Sequence, residues 1–191
     1  MFESYKAGKG NIKWIMPNKK KLYLFLMDAS FKQSDINKYK KYCSAFFPGT
    51  EVDVLRRTDF LTRAKIEHRE AYHDFGDGYQ YRTCGKNGIL MKMPAYKPSD
   101  AYAMLAITNN DLYPGPAWSF CFGWASYTEG VGSFSFCRYD PEFDGIEDDD
   151  REKNVLMSGC HIMAHEIGHM FGLRHCIYYE CLMNGLNSAD E

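Results

Sequence analysis

No apolar run in this sequence is long enough to cross a membrane, because no segment approaches the roughly 18 to 20 apolar residues that a spanning helix needs. As the chain begins here, its first residues, MFESYKAGKGNIKW, contain neither an apolar core nor a small-residue cleavage site, so they do not form a signal peptide. We therefore expect no membrane partner and an intracellular location, cytoplasmic or nuclear.

The sequence also lacks the basic excess of a nucleic-acid-binding surface. It has 23 Lys and Arg against 25 Asp and Glu, a formal net charge of −2, and a pI near 6.3. The one basic run, residues 19–21, precedes an apolar stretch and is explained as the solvated start of a strand. We therefore expect no nucleic-acid partner.

The cysteines do not have the pattern of a disulfide framework. There are seven, an odd number, and most stand alone in the chain. Thiols or metal ligands in a reducing compartment are the better interpretation. The 191 residues, of which 45% are apolar and 16% aromatic, show no internal repeat and suit one domain with a packed core, residues 1–191. A monomer is favoured.

The first half of the chain predicts a strand, a helix and a second strand. Residues 21–27 (KLYLFLM) form a continuous apolar run, typical of a strand covered on both faces. Residues 34–47 carry apolar side chains at helical spacing, and residues 50–55 alternate as a strand does. This order indicates a βαβ unit with parallel strands. Residues 56–86 give only a mixed pattern of loop, short helix or strand.

The second half predicts further strands. Residues 100–108 (DAYAMLAIT) form a buried strand, and residues 112–116 form a turn-rich loop. Residues 118–126 and 131–139 flank a short polar turn and therefore predict a hairpin.

A long helix follows an acidic connection. Residues 140–153 (DPEFDGIEDDDREK) are predicted to be a solvated loop, since they lack the twelve-residue pattern of a calcium-binding loop. The helix is expected to begin near Asn154 or Ser158 and to end near Phe171, with Gly172 as its C-terminal signal.

This helix carries the sequence HEIGH. At about 100° per residue, His165 and His169 lie one turn apart on the same face, so their imidazoles can share one metal ion. Glu166 points to the side, where it can hydrogen-bond a metal-bound water without ligating the metal. Gly172 permits a left-handed turn, which brings His175 back from another direction.

Three histidines and one water make the open tetrahedral site of a catalytic zinc. Zinc would lower the pKa of the water and polarise a scissile carbonyl, while Glu166 acts as the general base. A core helix with incidental histidines is a poor alternative, because a pattern of three fixed residues alone occurs by chance in roughly 2% of chains this long. A zinc-stabilised protein that binds peptides without cleaving them, or a scaffold protein, is the functional alternative.

Other polar side chains are weaker candidates for a role in the predicted zinc site. His161 also lies one turn before His165, but one ion cannot bridge three successive turns of a straight helix, so we expect it to be partly exposed. His68 and His73 are interpreted as surface histidines. Tyr178 or Tyr179 is a candidate donor to the substrate's carbonyl oxygen.

The stretch HEIGHMFGLRH matches the extended HExxHxxGxxH signature of the metzincin metallopeptidases. The continuation, Cys176, Cys181 and Met183 in a C-x4-C-x-M arrangement, resembles the archaemetzincins. Residues 107–120 and 130–139 also resemble segments of eukaryotic members. The resemblance covers about residues 100–183.

The resemblance implies a zinc metallopeptidase that acts on peptides or proteins, including aminopeptidase-type activity. The implied fold is α+β and zincin/metzincin-like, with a twisted mixed β-sheet, a backing helix and an active-site helix. His165, His169 and His175 would bind the catalytic zinc, Glu166 would be the general base, and Met183 would form an apolar floor, the Met-turn. The implied substrate-binding edge strand consists of Gly132, Ser133, Phe134, Ser135 and Phe136.

The resemblance implies a second, structural zinc ion as well. In the family, the cysteines that match Cys176 and Cys181 complete a four-cysteine site with a C-x-x-C pair roughly twenty residues further on. Only ten residues follow Cys181 here, and none is a cysteine. We therefore expect a fragment that ends before the second pair, with an incomplete second site.

Overall fold

The computed structural model describes residues 21–73 and 76–185. The strands are β1 (Lys21–Leu26), β2 (Glu51–Arg56), β3 (His68–His73), β4 (Gly76–Arg82), β5 (Ala101–Thr108), β6 (Asp111–Tyr113), β7 (Gly123–Ser126) and β8 (Val131–Ser135). The α-helices are α1 (Gln33–Phe46), α2 (Phe60–Arg63), α3 (Ile89–Lys92) and α4 (Arg151–Met170), and 3-10 turns occupy Met93–Tyr96, Cys137–Tyr139 and Pro141–Asp144. The amino-terminal stretch, most of the basic run and residues 186–191 lie outside the described residues.

The main sheet has five strands in the order β2-β1-β5-β8-β7. The first four are parallel, and β7 pairs antiparallel with β8. The predicted βαβ unit is confirmed, because β1 and β2 are parallel neighbours with α1 between them in the chain. The predicted hairpin is also confirmed, with shorter strands than the hydrophobic pattern indicated.

Both faces of the main sheet are covered, which explains the continuous apolar run in β1. Side chains alternate across a strand, so successive residues of β1 enter two different cores. One core joins β1 to α1 and α4 through residues including Leu22, Leu24, Leu26, Ile36, Cys43, Met163 and Ile167. The other joins it to α2, α3 and the turn that follows through residues including Tyr23, Phe25, Met27, Phe60, Ile89 and Met93. Helices α1 and α4 are thus the predicted backing helix and active-site helix, and the predicted fold class is confirmed.

A second sheet contains β3, β4 and β6 in that order. Strands β3 and β4 lie within residues 56–86, where the sequence pattern was mixed. The second sheet also shows that residues 112–116 are not simply a loop, since β6 begins at Asp111 and pairs parallel with β4.

Helix α4 begins at Arg151, earlier than predicted, and its first turn lies within the acidic stretch that was interpreted as loop. Acidic side chains favour this position, because the amino-terminal end of a helix carries a partial positive charge. Glu152 lies in the first turn, and Asp148 accepts a hydrogen bond from Asn154 Nδ2 at 2.8 Å. Within the described ranges, no helix combines the length and apolar character needed to cross a bilayer.

The predicted edge strand is wrong in its position. Gly132, Ser133, Phe134, Ser135 and Phe136 were expected at an edge, but β8 lies inside the sheet. It pairs with β5 on one side and β7 on the other, so its backbone groups are already used. The exposed edge next to it is β7.

Candidate active site

Helix α4 presents two histidines of the HEIGH sequence on one side and apolar side chains to the core on the other. His165 and His169 are both buried, and their ring centroids lie 4.5 Å apart. On the opposite side, Met163, Ile167 and Met170 are buried against the sheet and α1. The predicted apolar face of the helix, opposite the two histidines, is confirmed.

The end of α4 turns the chain back towards the first two histidines. Gly172 has a φ of 92°, a left-handed conformation that glycine adopts without steric cost. The amides of Gly172 and Leu173 donate to the carbonyls of His169 and Gly168 at 2.9 and 3.0 Å, a Schellman motif. This turn lets His175 approach from outside the helix.

The three imidazoles converge on one point. One ring nitrogen from each of His165, His169 and His175 lies within 4.8 Å of the others. The Nε2 atoms of His165 and His175 are 3.3 Å apart. Two nitrogens about 2.0–2.1 Å from a tetrahedral zinc ion are also separated by about 3.3 Å. The spacing therefore fits a zinc ion with three histidine ligands.

Two backbone carbonyls orient these rings. The Nδ1 of His165 lies 2.7 Å from the carbonyl oxygen of Leu182, and the Nδ1 of His169 lies 2.7 Å from that of Leu173. A carbonyl can only accept, so each Nδ1 donates and leaves the Nε2 lone pair for a metal. Burial lowers the pKa of His165, and it lowers the pKa of His169 to about 4. Both rings are therefore kept in the neutral form that binds metal.

Glu166 is buried beside the histidines. Its Oε1 faces Gly123, where an added Cβ would lie only 2.5 Å from that oxygen. Its Oε2 is buried without a hydrogen-bond partner. Burial raises the pKa of Glu166 to about 8. Buried polar atoms are normally satisfied, so this oxygen marks a position where water or substrate belongs.

Met183 lies beneath the histidine helix. It is buried, and an added Cβ on Gly168 would lie 2.7 Å from its Sδ. Nearby, an added Cβ on Gly185 would lie 2.9 Å from Nδ1 of His175. Close approach at these two glycines lets the segment after His175 pack against both the helix and the third histidine.

The two cysteines of the predicted second site differ in exposure. Cys176 is buried and its amide donates to the carbonyl of Met183 at 2.7 Å, whereas Cys181 is exposed. In the described part of the chain, the histidine triad is the only cluster of three or more metal-ligating side chains. The second zinc site stays a prediction.

A cavity of about 580 Å³ opens beside the triad, between α4 and the segment that leads into β7. Tyr127 lines it, with its ring centroid 5.3 Å from that of His169. Sequence reasoning missed this tyrosine; neither Tyr178 nor Tyr179 is part of the cavity lining, and both are exposed. The signal in the sequence was the position of Tyr127 at the turn of the predicted hairpin.

The other histidines lie away from the triad. His161 is exposed on α4, as predicted. His68 is exposed on β3 with its ring centroid 5.1 Å from that of Tyr79. His73 ends β3, and its side chain lies outside the described part of the structure.

Comparison with known proteins agrees with this geometry. Archaemetzincin-2 of Homo sapiens is 32% identical over 204 residues, an alignment that covers 92% of this chain and 55% of the human protein. The chain is a homologue of the archaemetzincins. It spans about half the length of this curated relative, and no family model matches it.

Two solved structures resemble this chain in fold. The archaemetzincin of Methanopyrus kandleri superposes with a TM-score of 0.63 at 21% identity, covering 91% of this chain and 84% of its own. A zinc-dependent peptidase from Methanocorpusculum labreanum gives a TM-score of 0.65 at 25% identity, covering 88% and 90%. These matches confirm the metzincin-like fold.

Proposed function

We propose that this chain carries the catalytic centre of a zinc-dependent metallopeptidase. The observation that carries the proposal is the convergence of His165, His169 and His175 beside the unpartnered oxygen of Glu166. The donor set supports zinc, since three neutral imidazoles leave one coordination position open for catalysis. The zinc-dependent peptidase among the structural relatives supports the same activity.

When bound to these histidines, a zinc ion would lower the pKa of a water molecule and polarise a peptide carbonyl. Glu166 performs the proton transfer. Its Oε1 is pressed against Gly123, so Oε2 accepts the proton of the attacking water and returns it to the departing amine. The carbonyls of Leu182 and Leu173 hold two of the rings in place during this sequence.

We propose that the substrate backbone extends along β7 and not along β8. Strand β7 is the outer strand of the main sheet at this end. Residues of β7 line the same cavity as the histidines and Glu166. An extended peptide can add to such an edge through main-chain hydrogen bonds.

The cavity gives no support to an aminopeptidase-type specificity. An enzyme that selects the free amino terminus needs an acidic partner for the ammonium group. Glu166 is the only carboxylate among the described residues that line the cavity, and it serves as the base. We therefore propose cleavage that does not require a free amino terminus, and peptides with free and acetylated amino termini should be cut at similar rates.

The test of the proposed function is peptide turnover by the wild type and by Glu166→Ala, with zinc content measured in parallel. We expect equal zinc content and a loss of turnover in the variant. Glu129→Ala, an exposed glutamate in the turn between β7 and β8, is the matched control and should retain turnover. Equal turnover by the wild type and Glu166→Ala contradicts the mechanism, and binding of peptides without turnover by either supports the scaffold alternative.

We keep the second, structural zinc as a proposal for Cys176 and Cys181. Its support is the spacing of these two cysteines directly after the third histidine. If so, Cys181→Ser should bind less zinc per chain at a second, weaker site, and the zinc bound by the histidines should not change. Unchanged stoichiometry in a protein that binds two zinc ions would contradict this assignment.

A further inference from the structure

The wall of the active-site cavity that faces α4 is formed by aromatic side chains. This aromatic wall consists of Trp118, Phe120, Phe122, Trp124 and Tyr127, all of which line the cavity together with the histidines. Trp118, Trp124 and Tyr127 are 56%, 38% and 51% exposed. Large aromatic side chains normally bury most of their surface, so this degree of exposure beside a candidate active site indicates a binding surface.

The wall is also free of charge. Between Asp111 and Glu129 the chain contains no Asp, Glu, Lys or Arg, although a quarter of all residues are charged. The rings of Trp118 and Trp124 meet edge to face with centroids 6.1 Å apart, which makes a continuous apolar surface. The five wall residues carry no charge that could pair with a charged side chain placed against them.

The second sheet holds this wall from behind. The Arg69 guanidinium donates to the carbonyls of Trp118 and Ser119 at 2.9 and 2.6 Å. Gln80, which accepts from Arg69 Nε at 2.7 Å, donates to the same Ser119 carbonyl at 3.0 Å. These bonds fix the backbone on which Trp118 is carried.

A partly buried ion pair continues the same network. Asp111 accepts from Gln80 at 2.7 Å and from Nε and Nη2 of Arg138 at 2.9 and 2.8 Å. The Arg138 guanidinium lies 3.8 Å from the centroid of the Phe120 ring. Cation–π contact of this kind holds the ring in one orientation. The wall is therefore a preformed surface supported by polar side chains that do not enter the cavity.

We propose that the aromatic wall is a subsite for one large apolar side chain of a peptide substrate, aromatic in preference to aliphatic, and that it rejects charged side chains. The inference rests on the proposed peptidase function, because it assigns the occupant of the same cavity. Edge strand β7 aligns the peptide backbone, and the aromatic wall binds one side chain beside the scissile bond. Arg69 and Arg138 are positioning residues for the wall.

The test uses a neutral eight-residue peptide in which phenylalanine, alanine or aspartate is moved through each position. We expect one position at which phenylalanine raises kcat/KM at least about tenfold over alanine and aspartate lowers it, as for a large side chain entering a fitted pocket. Trp118→Ala should reduce the ratio of phenylalanine to alanine about tenfold, and Trp118→Phe should restore most of it. Tyr179→Ala, an exposed aromatic residue outside the cavity, should leave the ratio unchanged.

A binding measurement separates failure of this proposal from failure of the proposed function. Two of the three tryptophans lie in the wall, so tryptophan fluorescence of zinc-loaded Glu166→Ala reports occupancy without cleavage. Tighter binding of the phenylalanine peptide supports the subsite even if the wild type cuts no peptide. Equal affinity for the phenylalanine, alanine and aspartate peptides, or a ratio that Tyr179→Ala alters as much as Trp118→Ala, overturns it.

Discussion

Replacing Gly123 with alanine is expected to remove most of the proposed peptidase activity while zinc stays bound. Gly123 is the first residue of β7 and lies against the carboxylate of Glu166. An added Cβ would be 2.5 Å from Oε1, 2.8 Å from Cδ and 2.9 Å from Cγ of that side chain. All three of the atoms nearest to the new methyl group belong to Glu166, so this side chain is the first that must move.

The size of the effect follows from these distances. Ordinary van der Waals contact begins at 3.4 Å, so the carboxylate must retreat from 2.5 Å by about 0.9 Å, or β7 must move outwards. A displacement of about 1 Å in a catalytic group can cost about 100-fold in rate. We therefore expect kcat to fall about 100-fold, equivalent to roughly 2.7 kcal/mol of transition-state stabilisation.

The assay is steady-state turnover of a peptide substrate, with zinc content and thermal unfolding recorded for each variant. Gly115→Ala is the matched control, because its added Cβ would meet only Arg82 Nη2 at 3.8 Å. The shorter side chain in Glu166→Asp leaves room for the methyl group, so Gly123→Ala should cost less in that background. Full activity in Gly123→Ala, a loss of zinc, an effect on KM alone, or the same loss in the Glu166→Asp background would refute the reasoning.

Changes at three further positions test the supports of the site. Gly185→Ala places a Cβ 2.9 Å from Nδ1 of His175, so chelator competition should show zinc affinity at least about tenfold weaker. Met183→Leu should retain zinc and cost less than about 1.5 kcal/mol in unfolding free energy, whereas Met183→Ala should cost about 2–5 kcal/mol because it empties a buried site. Asp111→Ala leaves the partly buried Arg138 without its carboxylate partner and should destabilise the protein by about 1–3 kcal/mol in denaturant unfolding. If Asp111→Ala had the same free energy of unfolding as the wild type, Asp111 would not anchor the wall.

The sequence was sufficient to predict the convergence of the three histidines because their geometry is local. His165 and His169 are related by the helix repeat alone. Gly172 indicates the turn that brings His175 towards them. The continuous apolar run in β1 likewise predicts a strand buried on both faces, which the two cores confirm.

The parts that sequence reasoning missed depend on non-local or backbone atoms. The carbonyls of Leu182 and Leu173 orient the rings, and any residue type can supply a carbonyl. The edge position of β7 follows from strand order, which the chain order of a hairpin does not specify. The early start of α4 did have a signal, namely the acidic residues beside Arg151, which are typical of a first helical turn.

The central claim is that His165, His169 and His175 hold the catalytic zinc without help from the cysteines. The most direct test is zinc affinity, measured by chelator competition together with peptide turnover, in His175→Ala and Cys181→Ser. We expect His175→Ala to lose the tight zinc and the turnover, and Cys181→Ser to retain both. Tight zinc and turnover that survive in His175→Ala but disappear in Cys181→Ser would contradict this claim.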